Sequence, residues 1–160
     1  DTVPGISAAQ GAAAATGIPL THRDHAAMLV FATGHLQGEE GERTVALDWA
    51  ALARPHQTVV IYMGVGTLPI ICAQLIAHGL PASTPAAMIE RATLPGQRSI
   101  VGTLQTLPQL SVAYGVNPPA LVMIGDTVAL HARIGSSAEV LTGFPAVVDA
   151  ASPQALACTA

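Results

Sequence analysis

The sequence predicts an α/β fold, a mostly wound mixed sheet with helices on both faces. Three observations predict it. Hydrophobic residues make up 51 % of the 160 residues, enough for a packed core, while aromatics are only 3 %, so the core is built from Ala, Val, Leu and Ile. Short uncharged apolar runs recur, as expected of strands in a sheet covered on both faces. Between them lie helix-patterned stretches bounded by capping residues, glycine and proline.

Taken in order, Ser7 precedes an Ala-rich run to Ala15 and then Gly17: an N-cap, a helix former and a stop. Met28 to Ala32 is a compact apolar strand ending at the turn Thr33-Gly34-His35, and residues 37–44 (QGEEGERT) read as a charged surface loop. Asp48 caps a short helix from Trp49 that Pro55 closes. A strand follows at Thr58 to Met63, then a glycine turn and a helix from Thr67 to His78. Pro69 fits its first turn and Gly79 stops it. Ala86 to Arg91 and Arg98 to Thr103 read as a hairpin about Leu94-Pro95-Gly96. Leu104, Leu107 and Leu110 repeat at helical spacing, and Ala120 to Ile124 is a last buried strand. The order is β-α-β-α-β-β-α-β with one antiparallel element. From Gly135 the periodicity fades, and residues 135–160 read as a tail of unknown role.

From Pro55 to Ile89 there is no Asp, Glu, Lys or Arg, which by length alone suggests a membrane span. Gly64, Gly66, Thr67 and Pro69 interrupt it, so a strand, a turn and a helix explain it better. No charged segment precedes an apolar run at the N-terminus, so no signal peptide is expected there. The six basic residues are all Arg, and ten acidic residues bring the charge to -4, which leaves no basic face for nucleic acid. Cys72 and Cys158 share no CxxC or Cys/His spacing and read as thiols of a reducing, cytoplasmic compartment.

Gly64-Val-Gly66 after a strand invites a dinucleotide loop, but the third glycine is absent and Pro69 stands in its place. His22 and His25 have the spacing of a helical metal pair without a third ligand nearby, so no metal site is expected. No Gly-x-Ser-x-Gly elbow, Walker loop or Cys/His nucleophile pair occurs, which removes the main support for hydrolase and kinase readings. Glycine-rich turns after strands are where ligands of open sheets usually bind.

The order of short motifs carries a resemblance. Val3-Pro-Gly-Ile-Ser-Ala-Ala9, Gly17-Ile-Pro-Leu-Thr-His-Arg-Asp-His-Ala26 and Thr33-Gly34-His35 follow one another as in uroporphyrinogen III C-methyltransferases, of the tetrapyrrole methylase superfamily. Leu47-Asp-Trp, Tyr62-Met-Gly64, Glu90-Arg-Ala-Thr93, Pro95-Gly-Gln-Arg98 and Pro119-Ala-Leu-Val-Met-Ile-Gly125 extend it, so it covers roughly residues 3–131. The Pro-Gly-x-Ser segment is shared across the superfamily. The Thr-His-Arg-Asp-His and Thr-Gly-His blocks point to the uroporphyrinogen branch.

The resemblance implies two α/β domains with S-adenosylmethionine in the cleft between them and assembly as a homodimer. Residues 1–26 would end the N-terminal cofactor domain, and 27–134 would form the C-terminal domain. The implied reaction methylates uroporphyrinogen III at carbons 2 and 7, giving precorrin-2 for sirohaem, cobalamin or haem d1, with S-adenosylhomocysteine as by-product. Ser7, Ala8, Met63 and Ala92 would line the cofactor pocket, since a folded cofactor needs small side chains where backbone approaches it. Arg23, flanked by His22 and His25, would meet acceptor carboxylates. The family's Gly-x-Gly-Pro-Gly loop, its Gly-Gly-Asp-Pro segment and its acid and lysine have no counterpart here, so catalytic groups are expected in an upstream part. The first helix of this chain alone is then expected to lack a sheet to pack on. Other readings are a non-catalytic dimerisation or partner-binding fragment and a related precorrin methylase.

Overall fold

A computed structural model describes residues 1–36, 44–134 and 139–142. Residues 37–43 of the expected loop, and residues 135–138 and 143–160 of the expected tail with Cys158, lie outside the described residues. The elements are α1 (Ala8–Thr16), β1 (Met28–Thr33), α2 (Trp49–Leu52), β2 (Gln57–Tyr62), α3 (Leu68–Ala77), β3 (Pro85–Glu90), β4 (Arg98–Thr103), α4 (Leu107–Ala113) and β5 (Ala120–Ile124). A 3-10 turn (Asp126–Leu130), α5 (His131–Ile134) and β6 (Glu139–Thr142) follow.

The strands form one sheet in the order β1-β2-β5-β3-β4-β6. β1 lies parallel to β2, from Met28 opposite Gln57 to Thr33 opposite Tyr62. β5 is antiparallel to both β2 and β3, and β3 is antiparallel to β4. Three ladders are therefore antiparallel, where the sequence suggested one antiparallel element. The β3–β4 hairpin reverses the chain, and a helical crossover through α4 returns β5 in the direction of β4, against β3 and β2. β6 pairs parallel to β4, with Arg98 opposite Glu139, so part of the stretch read as a tail extends the sheet. Four residues are too few to show an alternation in the sequence.

Alternate residues of the central strands feed two cores. Val59 and Ile61 of β2, Met88 of β3, Ile100 of β4 and Val122 of β5 meet Leu68, Ile71 and Leu75 of α3 and Leu107 and Leu110 of α4. Val60, Ala87, Ile89 and Met123 face the other way, onto Ala9 and Ala12 of α1 and Ile18. Helices thus cover both faces. The expectation that α1 would lack a sheet is corrected, because its Ala/Gly face fits closely on this second surface. Its ends are fixed as the sequence suggests. Ser7 Oγ accepts from the Gln10 N–H at 3.3 Å while Gln10 Oε1 accepts from the Ser7 N–H at 2.9 Å, and Gly17 (φ 71°) closes the helix in the left-handed conformation. Asp48 likewise caps α2, its Oδ1 accepting from the Ala51 N–H at 3.0 Å.

Cys72, on α3, is buried, and burial pushes its thiol up from 9.0 to about 12. It is therefore expected to resist neutral-pH alkylation until the protein unfolds, as a denaturant series with iodoacetamide would show. The sign for stability follows. The unfolded thiol ionises from about pH 9 while the folded one stays protonated to about 12, so this contribution is lost as pH rises through that window.

Candidate functional site

The main cavity, about 480 Å³, opens where β2 and β3 end and β5 begins. One wall is the start of α1 with Tyr62, Met63, Val65 and Gly66; the other is Ile89, Arg91, Ala92 and Leu94, with Pro118, Pro119 and Ala120 between them. The lining is largely apolar. Among its residues there is no carboxylate, imidazole or thiol, the groups that most often serve as nucleophile or neutral-pH proton shuttle.

The backbone is bent sharply at both strand ends. Met63 (φ 54°), Arg91 (φ 52°) and Thr93 (φ 67°) all lie in the left-handed region, an uncommon conformation for residues with a side chain. These bends turn the chain away from the sheet and open the space above β5. Met63 remains 62 % exposed, a large apolar side chain at the mouth of an apolar cavity.

Local packing fixes the Met63 turn. A Cβ on Gly34 would sit 2.9 Å from the Gly64 Cα and 3.0 Å from Ile71 Cδ1, so the Thr33-Gly34-His35 motif reads as a backbone-to-backbone contact. The Gly34 N–H donates to the Tyr62 carbonyl at 2.7 Å, and Thr67 Oγ1 donates to the Gly34 carbonyl at 2.7 Å. The Tyr62 hydroxyl accepts from the Ala9 N–H at 3.1 Å and ties the first turn of α1 to the rim.

Ala8, Met63 and Ala92 are thus brought together around one cavity. Ser7 stands beside it with its hydroxyl committed to the helix cap. Arg23 and His22 are elsewhere, in the turn before β1, where the Ala27 N–H donates to the His56 carbonyl at 3.0 Å. That is the opposite end of the β1–β2 ladder, about 20 Å away along six residues of strand. Arg23 is exposed; the His22 and His25 rings lie 4.8 Å apart. His22 Nδ1 accepts from the Asp24 N–H at 3.2 Å and lies 3.9 Å from the Asp24 carboxylate. No group of three or more metal-ligating side chains occurs among the described residues. Sequence reasoning missed Tyr62, Arg91 and Pro118-Pro119 as lining residues. Three of them lie inside quoted motifs, but only the strand order brings the β5 start between the β2 and β3 ends.

A family model, Tetrapyrrole (Corrin/Porphyrin) Methylases, matches residues 1–108. A siroheme synthase of Nitrosomonas europaea is 52 % identical over 132 residues, which cover 82 % of this chain and 27 % of that protein. One from Nitrosospira multiformis is 52 % identical over 134 residues, 84 % of this chain and 28 % of that protein. The uroporphyrin-III C-methyl transferase from Thermus thermophilus complexed with S-adenyl homocysteine superposes with a TM-score of 0.65 at 32 % identity, covering 81 % of this chain and 52 % of that one. The chain thus spans about a quarter of the siroheme synthases and about half of the Thermus chain.

Proposed function

The chain belongs to the tetrapyrrole (corrin/porphyrin) methylases, and from that premise we propose that it forms one wall of an S-adenosylmethionine-dependent uroporphyrinogen III C-methyltransferase. The reaction is methylation at carbons 2 and 7, giving precorrin-2. The observation that carries the proposal is the cavity that gathers Ala8, Met63 and Ala92 at the ends of β2 and β3. In this reading residues 1–26 are the end of the preceding cofactor domain and 27–134 the C-terminal domain.

The residues present fit the cofactor. A cavity of about 480 Å³ suits a small molecule, and Ala8, Gly66, Ala92 and Ala120 leave backbone accessible around it. When bound, S-adenosylmethionine supplies an electrophilic methyl group on sulfur. Met63 and Leu94 cover the cavity mouth and exclude water, Tyr62 holds α1 against the rim, and the bends at Met63 and Arg91 fix the separation of the walls. The acceptor's own pyrrole carbon is the nucleophile, so the walls need only orient; proton removal falls to groups outside this lining. As the subunit surface of a homodimer, the uncharged edge strand β1, with Met28 and Phe31 about half exposed, is the one most in need of cover.

Arg23 and His22 are proposed as contacts for acceptor carboxylates, which surround a macrocycle much broader than its reacting carbon. Arg23→Leu should then weaken uroporphyrinogen III binding by about one to two decades while sparing the cofactor. Unchanged acceptor titration, or a parallel fall in cofactor affinity, would remove both from this role.

The function is tested by joining this chain to the N-terminal methylase half of a close relative and following uroporphyrinogen III by mass. Addition of two methyl groups is expected from the joined protein, with no useful turnover from residues 1–160 alone. Robust turnover by the lone chain would contradict the one-wall reading, and methylation of a precorrin in preference would assign it to another branch.

A further inference from the structure

We infer that Glu90 and Arg98 are positioning residues for this pocket: a shielded ion pair that lines no part of the cavity and fixes the Pro118-Pro119 segment against the wall at the end of β3. The inference rests on the reading of the cavity as the cofactor site. Glu90 is the last residue of β3 and stands opposite Arg98 on β4 and Ala120 on β5. Beyond this shared rung the chain leaves the sheet on both sides to form the cavity walls.

Glu90 is 6 % exposed and both its carboxylate oxygens are engaged. Oε2 accepts from Arg98 Nε at 2.8 Å and from Arg98 Nη2, while Oε1 accepts from the Asn117 N–H at 3.3 Å. Arg98 Nη1 donates to the Tyr114 carbonyl at 3.0 Å. Just beyond the pair, the Arg91 N–H donates to the Pro119 carbonyl at 2.9 Å. Segment 114–119, which ends in the cavity-lining Pro118-Pro119, is therefore pinned at three points, two at the end of β3 and one at Arg98 of β4. Gln97 extends the restraint to the other side. Its Oε1 accepts from the Thr93 N–H at 2.6 Å and its Nε2 reaches the Ala15 carbonyl at 3.5 Å, linking the Ala92 turn to α1.

An apolar pair of similar size would hold β3 to β4 as well. It could not accept from Asn117 or donate to Tyr114. What the ion pair adds is directional, and it is spent on backbone that forms the pocket. The motif residues Glu90, Gln97 and Arg98, which have no contact role in the cavity, are accounted for in this way.

The test uses the joined methylase with Glu90→Gln, Arg98→Lys and Arg98→Met. Glu90→Gln should raise the S-adenosylhomocysteine Kd and the S-adenosylmethionine KM about tenfold, with the acceptor KM and the kcat at saturating cofactor changed less than about threefold. Arg98→Lys keeps the charge but cannot serve Glu90 and Tyr114 together, so it should fall between the parent and Arg98→Met. Amide exchange at Arg91 and Asn117 should quicken in all three, with β2 and α3 unchanged. Variants folded at the assay temperature that bind S-adenosylhomocysteine within about twofold of the parent would reduce the pair to a structural role and overturn the inference. Equal losses of both ligands would overturn it too. A parent that fails to bind S-adenosylhomocysteine would instead contradict the reading of the cavity itself.

Discussion

Met63→Lys in the joined methylase is expected to lower S-adenosylmethionine affinity by roughly thirtyfold or more, and to affect S-adenosylhomocysteine much less. The side chain at 63 stands 62 % exposed at the cavity mouth, so a lysine there is tolerated by the fold and places its ammonium beside the ligand. The methyl donor carries a positive sulfur and the demethylated product does not. Two like charges about 8 Å apart at an effective dielectric near 20 repel by on the order of 2 kcal/mol. Loss of the thioether surface adds a smaller penalty common to both ligands. Paired calorimetric titrations of the two ligands check this, and affinities equal to the parent for both would remove Met63 from the pocket.

Gly125→Ala should destabilise the fold by roughly 3 kcal/mol or more. Gly125 follows β5 with φ at 130°, and an added Cβ would lie 2.6 Å from the Gln57 carbonyl oxygen. That neighbour is backbone at the start of β2, so no side chain can swing aside. Gly125 itself is held by its N–H, which donates to the Pro85 carbonyl at 2.9 Å. The midpoint of thermal unfolding should fall by roughly 10 °C. Gly66→Ala is the matched control, since nothing lies within 4 Å of its added Cβ, and it should shift the midpoint little. A Gly125→Ala protein as stable as the parent would mean that the β5–β2 junction can relax in a way the packing does not suggest.

Elements with strong local grammar were legible. Ser7 and Gly17 around an alanine run, Asp48 before Trp49 and the uncharged runs of β2 and β5 each combine a terminus with a period, and the observed bounds differ from the sequence reading by a residue or two. What was not legible is mostly a matter of strand order. Nothing local in Ala120–Ile124 says that it inserts between β2 and β3 with reversed direction, although this brings Pro118-Pro119 to the cavity. Met63 and Ala92 were reached through their motifs, and the structure supplies the reason for the first: a left-handed bend immediately after a strand. Arg23 was reached through its motif as an acceptor-side residue, and its motif could not say where the turn lies: at the far end of the ladder from the cavity, because β1 runs parallel to β2 and the chain must enter it from that end.

The account stands most directly on where the cofactor product binds. Hydrogen exchange of the joined methylase, with and without S-adenosylhomocysteine, reads this out along the chain. Protection is expected at residues 62–66, 91–94 and 120–121, in the segments that bound the cavity, with none at residues 21–27. Protection centred instead on residues 54–57, 80–84 and 125–126, which line a smaller cavity at the opposite end of the sheet, would contradict it.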